Sequence, residues 1–109
     1  MCGIFGTTRR YERSIVEHKL ELMNFRGPDH TGMEEIRTPD GETLTLGHVR
    51  LSIIDLDSRS NQPFVYTDDI SIVFNGEVYN FLELKKQYLS DVTLRTESDT
   101  EVICAMYEK

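Results

Sequence analysis

Cys2 stands directly after Met1 and is followed by Gly3-Ile4-Phe5-Gly6. Removal of Met1 would place a thiol and a free α-amine on one residue. Such an amine titrates near ~7.7–8.0, so about a third of it is neutral at pH ~7.5. The neutral amine can take the thiol proton directly or through a water. The thiolate is then the nucleophile, activated by a base it carries itself. With Met1 retained, the amine is an amide without useful basicity. The plainer alternative for the same residue is a small buried Cys in a first strand.

A nucleophile of this kind needs partners. Asn75-Gly76 offers an amide side chain and a backbone N–H that can converge on a developing oxyanion. The same dipeptide is also a common hairpin turn. Arg50 follows an apolar stretch and carries a two-pronged donor set suited to a carboxylate. Asp99 falls at an expected helix start and suits an ammonium, with Glu77 as a second carboxylate. Taken singly, Arg50 reads equally as a surface charge, Asp99 as a helix-dipole partner and Glu77 as a solvated carboxylate. His48 has no Cys, His or carboxylate at metal spacing, which predicts a packed or hydrogen-bonded imidazole. Cys104 is expected in the core. Gly3 and Gly6 form no phosphate loop, because no Lys-Ser/Thr follows at the required distance. No metal site is expected.

The elements that must position these residues follow from local pattern. Residues 2–7 read as a first strand. Ser14 to Phe25 reads as a helix, with Ser14 and Glu17 forming a capping box and Arg26-Gly27-Pro28-Asp29 ending it. Strands are expected at 32–37 and 43–50, joined by the turn Thr38-Pro39-Asp40-Gly41, with a further short strand at 51–54. A β-branched strand covers 70–74, a helix 80–89 and a short strand 94–97. Ser98, with Glu101, caps a last helix whose apolar face is Val102, Ile103, Met106 and Tyr107. That pattern runs to Lys109 without a stop signal, which predicts a chain truncated from a longer one. Strands followed by helices predict an α+β architecture.

Bulk properties narrow the function classes. The chain has 109 residues, 39% hydrophobic and 28% charged, with a net charge of −7. That is one small domain, and its charge argues against a sequence-independent nucleic-acid surface. Two Cys without a secretory context predict no disulfide framework. No apolar run reaches the ~18 residues of a membrane span, and no signal peptide is recognisable. A reducing, cytoplasmic location is the expectation.

Five blocks, taken together and in order, resemble a known family. They are Met-Cys-Gly-Ile-Phe-Gly at 1–6, Arg-Gly-Pro-Asp at 26–29, Gly-His-Val-Arg-Leu-Ser-Ile at 47–53, Phe-Asn-Gly-Glu-Val-Tyr-Asn at 74–80 and Glu-Ser-Asp-Thr-Glu at 97–101. The chain resembles the N-terminal glutaminase domain of class II glutamine amidotransferases, which are N-terminal-nucleophile (Ntn) hydrolases. Arg26-Gly27-Pro28-Asp29, Arg50-Leu51-Ser52-Ile53, Asn75-Gly76-Glu77-Val78-Tyr79-Asn80 and Gln62-Pro63 are similar to glutamine-hydrolysing asparagine synthetases. Amidotransferases with other acceptors share these blocks.

The resemblance implies an αββα sandwich of which only about the first half is present, residues 1–109 being a partial glutaminase domain. It implies Cys2 as nucleophile and its amine as base, Asn75 and Gly76 at the oxyanion, and Arg50 on the glutamine α-carboxylate. Asp99 with Glu77 would take the α-ammonium, and Leu51, Ser52, Ile53 and Ile54 would line the pocket, largely through backbone. Arg26 to Asp29 would lie in a loop near the site without a catalytic role. The ammonia would pass to a synthetase domain that uses ATP and Mg²⁺ to activate aspartate; no part of this chain matches that domain. Half a sandwich would expose an apolar sheet face, and a homodimer remains open. So does a non-catalytic glutamine-binding or interaction module.

Overall fold

The computed structural model describes residues 2–52 and 57–109. Its elements run β1 (Gly3–Thr7), α1 (Arg13–Leu22), a 3₁₀ turn (Asn24–Arg26), β2 (His30–Arg37), β3 (Thr43–Arg50), a second 3₁₀ turn (Ser58–Ser60), β4 (Phe64–Thr67), β5 (Ile70–Ile72), α2 (Phe81–Tyr88) and α3 (Asp99–Glu108). The first three strands form an antiparallel sheet in the order β1-β3-β2, and β4 pairs with β5 in a two-stranded antiparallel hairpin. The molecule is a small α+β domain.

Strand alternation sorts β3 into two faces. Thr45, Gly47 and Val49 face α1, where Val16 and Leu20 pack on Val49 to form the first core with Phe5, Tyr11, Met23 and Met33 around it. His48 and Arg50 therefore face the other way. The register pairs Gly3 with Val49, so one step further Cys2 falls beside Arg50 on that second face. The β2–β3 connection is the expected turn: the Thr38 N–H donates to Glu42 O at 2.9 Å, and Gly41 takes φ +86°, a region open to glycine. A second core forms where Leu89, Val102 and Ala105 meet Tyr66, Phe81, Leu84 and Met106.

Several expectations need correction. Helix α1 begins at Arg13, ends at Leu22 and has Glu12 at its N-cap with no side-chain cap bond. The Ser14–Glu17 capping box is absent; Glu17 instead accepts from Arg13 Nε at 2.9 Å, one turn earlier. The strand expected at 70–74 stops at Ile72, and β4 before it was not anticipated. Residues 94–97 form no strand, because their amides are spent on a side chain. Arg95 N–H and Thr96 N–H donate to the Glu101 carboxylate at 3.0 and 2.7 Å.

Glu101 thus does not return to Ser98 as a capping box requires, although the Ser98 hydroxyl does accept from Thr100 N–H at 3.1 Å. On α3 the expected burial of Val102 and Cys104 is found, but Ala105 is buried too and Tyr107, expected on the apolar face, is 81% exposed. Leu51 and Ser52 are not in a strand, and Ile53 and Ile54 lie outside the described residues. Among the described residues, no helix is long and apolar enough to cross a membrane.

Candidate functional site

Cys2, Arg50 and Leu51 border one open cleft together with Gly76, Glu77 and Asp99. The cleft has about 380 Å³ of empty space, part of it shared with solvent. Ser60, Gln62, Phe74, Ser98 and Thr100 complete its wall. The sheet supplies Cys2 and Arg50, the loop after β5 supplies Gly76 and Glu77, and the first turn of α3 supplies Asp99 and Thr100. Asn75 is exposed and is not on this wall, and Ser52 borders a separate pocket with Asp29, Ser58 and Asn61.

The thiol is held from two sides. Leu51 N–H points to Cys2 Sγ at 3.4 Å, and the sulfur lies 3.7 Å from Leu51 O. A backbone N–H directed at sulfur stabilises negative charge there. Arg26 Nε donates to the Cys2 carbonyl at 3.0 Å, so the Arg-Gly-Pro-Asp loop steadies the backbone of Cys2. The same loop meets Leu51–Ser52, since Ser52 N–H donates to Asp29 Oδ2 at 2.8 Å.

Arg50 is only 5% exposed. Its Nη1 donates to Asp57 O at 3.0 Å and to Asn61 Oδ1 at 2.8 Å. These contacts fix the guanidinium plane, which a two-pronged grip on a carboxylate requires. Asp99 is also buried, and its Oδ2 accepts from Val78 N–H at 2.9 Å. Its place in the first turn of α3 lets the positive end of the helix dipole support its charge. The carboxylate therefore fixes the loop bearing Glu77 while it borders the cleft.

His48 is fully buried, with Nε2 3.2 Å from Phe74 O. Because a carbonyl only accepts, Nε2 carries the proton. Its Nδ1 has no hydrogen-bond partner among the described residues. Burial, aided by the nearby Arg50 charge, lowers the imidazole pKa to about 4, against the opposing effect of the Phe74 hydrogen bond. His48 is then a neutral prop behind the site, in keeping with a hydrogen-bonded imidazole. Cys104 is buried, and burial, with Glu101 adding to it, pushes its thiol up to about 11, so it holds its proton. Among the described residues, no group of three or more His, Cys, Asp or Glu side chains is arranged to hold a metal ion.

Gln62, Ser60 and Thr100 escaped the reading of residue chemistry. Thr100 lies 38 positions from Gln62, to which it is bonded, and no local pattern announces such a contact.

A small antiparallel α+β domain thus brings the Cys beside its first strand, a buried Arg and a buried Asp to one cleft. The chain belongs to the glutamine amidotransferase domain family, whose model matches residues 1–109. It is 38% identical, over its whole length, to a provisionally named glutamine-hydrolyzing asparagine synthetase 2 of Methanocaldococcus jannaschii, covering 24% of that protein. It is 34% identical over 98% of its length to asparagine synthetase [glutamine-hydrolyzing] 1 of Bacillus subtilis, covering 17% of it. Over 85% of its length it is 43% identical to amidase chyE of Penicillium rubens, covering 13% of it. The chain thus spans about a quarter or less of the length of these curated relatives.

Proposed function

We propose that this chain carries the glutaminase chemistry of a glutamine amidotransferase: hydrolysis of glutamine to glutamate and ammonia through a thioester on Cys2. The observation that carries this reading is the cleft on which Cys2 Sγ, Arg50 and Asp99 meet. With Met1 removed, the Cys2 α-amine takes the thiol proton. The sulfur attacks the side-chain carbonyl carbon of glutamine, and the resulting oxyanion is met by Gly76 N–H and by the Asn75 amide, which must turn in from its exposed position.

As the C–N bond breaks, the protonated amine returns its proton to the departing ammonia. Water then attacks the thioester, and glutamate leaves with the thiol restored. Arg50 holds the α-carboxylate, and Asp99 with Glu77 holds the α-ammonium. Leu51 forms part of the near wall. Phe74 and Gln62 complete the wall of the cleft.

The chain would be the first part of an Ntn-type sandwich. The ammonia would feed a synthetase domain, outside these 109 residues, that uses ATP and Mg²⁺ to make asparagine from aspartate. The relatives named as asparagine synthetases support that acceptor, whereas the relative named an amidase supports a different acceptor on the same donor half.

The test is glutamate release by the purified chain, with loss of Met1 verified by mass. Turnover should fall at least about a thousandfold in Cys2→Ala, because nucleophile and base positioning act as a unit. Glutamine binding should survive in that variant. Saturable glutamine binding with no glutamate from the parent chain would instead make it a binding module.

A further inference from the structure

Gln62 is 7% exposed, and both ends of its amide are engaged. Its Oε1 accepts the Phe74 N–H at 2.6 Å. Its Nε2 donates to Thr100 Oγ1 at 3.4 Å. The first contact lies immediately before Asn75-Gly76. The second lies in the first turn of α3, next to Asp99. Phe74 is gripped from its other side as well, since its carbonyl accepts from His48. Both backbone groups of the residue preceding Asn75 are therefore held by buried side chains.

The sheet is shaped to admit this arrangement. A Cβ on Gly32 would sit 2.0 Å from Gln62 O and 3.1 Å from Pro63 Cδ. Strand β2 thus gives up a side chain where the Gln62 backbone crosses it. The Gln62 amide offers an acceptor and a donor on one neutral group at this reach. A thioether or alkyl chain of the same size would leave Phe74 N–H without this acceptor in a partly buried place, at a cost of about 1 kcal/mol.

We infer that Gln62 is a positioning residue that sets the distance between the oxyanion donors at 75–76 and the ammonium-binding start of α3. The inference rests on the glutaminase reading above. The sheet brings the nucleophile and Arg50, the helical half brings Gly76 and Asp99, and the Gln62 amide ties the two parts of that second set together. Glutamine must touch both parts at once. A displacement of either by about 1 Å is enough to lower turnover on the order of a hundredfold.

Three variants and two readouts test this. Rates are expressed per folded molecule, with the folded fraction read by circular dichroism, so unfolded molecules drop out. Gln62→Met should lower kcat roughly 10–100-fold and raise the glutamine KM. Thr100→Val breaks only the α3 side; it should raise KM about 3–10-fold and lower kcat less than Gln62→Met does. Gln62→Glu keeps an acceptor for Phe74 N–H in either protonation state and can pair with the Thr100 hydroxyl, so it should restore most of the rate.

The second readout is amide hydrogen exchange. The Phe74 amide should lose protection in Gln62→Met while the amides of β1 and β3 keep theirs. A Gln62→Met protein with the parent's kcat and KM per folded molecule, or with an unchanged Phe74 amide, overturns the inference and leaves the glutaminase reading standing. A parent chain without glutamate release overturns the glutaminase reading, and the exchange arms then decide whether Gln62 holds Phe74.

Discussion

The sheet half of the molecule (β1–β3 with α1) and the helical half (β4, β5, α2 and α3) differ in what they bury. The sheet half separates its faces by strand alternation. Val16, Leu20 and Val49 close one side, while His48 and Arg50 sit on the other. The helical half mixes its burial along one helix. Asp99, Thr100 and Glu101 are as buried as Val102, Cys104 and Ala105 behind them.

That polar first turn is tolerable because the loop before it is spent on satisfying it. Glu101 receives the amides of Arg95 and Thr96 and also the Thr96 hydroxyl at 2.7 Å. Arg95 then lies over the Phe64 and Tyr66 rings at 4.9 and 5.9 Å and donates to Val65 O and Tyr66 O. The lesson is that the sheet presents chemistry by periodicity, whereas the helix presents it through a hydrogen-bonded loop.

The largest effects should come from the two charges that face each other across this division. Arg50→Lys keeps the charge but loses the fixed, two-pronged donor plane. Asp99→Asn keeps the shape but loses the charge and weakens the hold on Val78. Each should raise the glutamine KM by about 100-fold or more, in line with roughly 2–5 kcal/mol for truncating a buried charged contact. If only one of the two moved KM, the cleft would not be reading both ends of an amino acid. Steady-state glutamate release over a glutamine titration is the measurement.

The next effect concerns stability and asks whether the two cores melt as one. Leu20→Ala should cost about 2–5 kcal/mol, and Val102→Ala about 2–3 kcal/mol. Both residues are 1% exposed. Denaturant titrations followed by circular dichroism should show a single transition shifted in both variants. Two separate transitions would make the halves independent and the cleft between them a weaker site.

A smaller, pH-dependent effect distinguishes the sheet half. His48 is neutral in the folded chain down to about pH 4, below the ~6.5 of an unfolded His. The unfolded chain therefore takes up the proton first. The contribution is complete above pH ~6.5 and shrinks as pH falls toward 4, by about 2 kcal/mol at pH ~5. His48→Gln should flatten unfolding free energy between pH ~6.5 and ~5 relative to the parent. An equal slope in both proteins would assign the titration to other groups.

Legibility in the sequence followed the same division. Strand β3 and the turn at Gly41 were readable, because alternation and turn chemistry are local. Helix α2 was placed within a residue at each end for the same reason. The Ser14 cap and the 94–97 strand failed because side chains competed for the groups involved: Glu17 went to Arg13, and Glu101 took the amides of 95 and 96. On α3, Val102 and Cys104 were placed correctly, whereas Tyr107 is exposed and burial in the first turn follows hydrogen bonding rather than hydrophobicity. Cys2, Arg50, Glu77 and Asp99 could be picked out by chemical type and by the five ordered blocks. The Gln62 contacts could not, since they join positions far apart in the chain.

The most direct measurement is mass spectrometry of the chain quenched in acid during turnover of glutamine. The account predicts a γ-glutamyl increment on the peptide that begins with Cys2. No such increment should appear on the peptide containing Cys104, or anywhere in Cys2→Ala. Glutamate production without an adduct on Cys2, or at full rate from a chain that retains Met1, would contradict it.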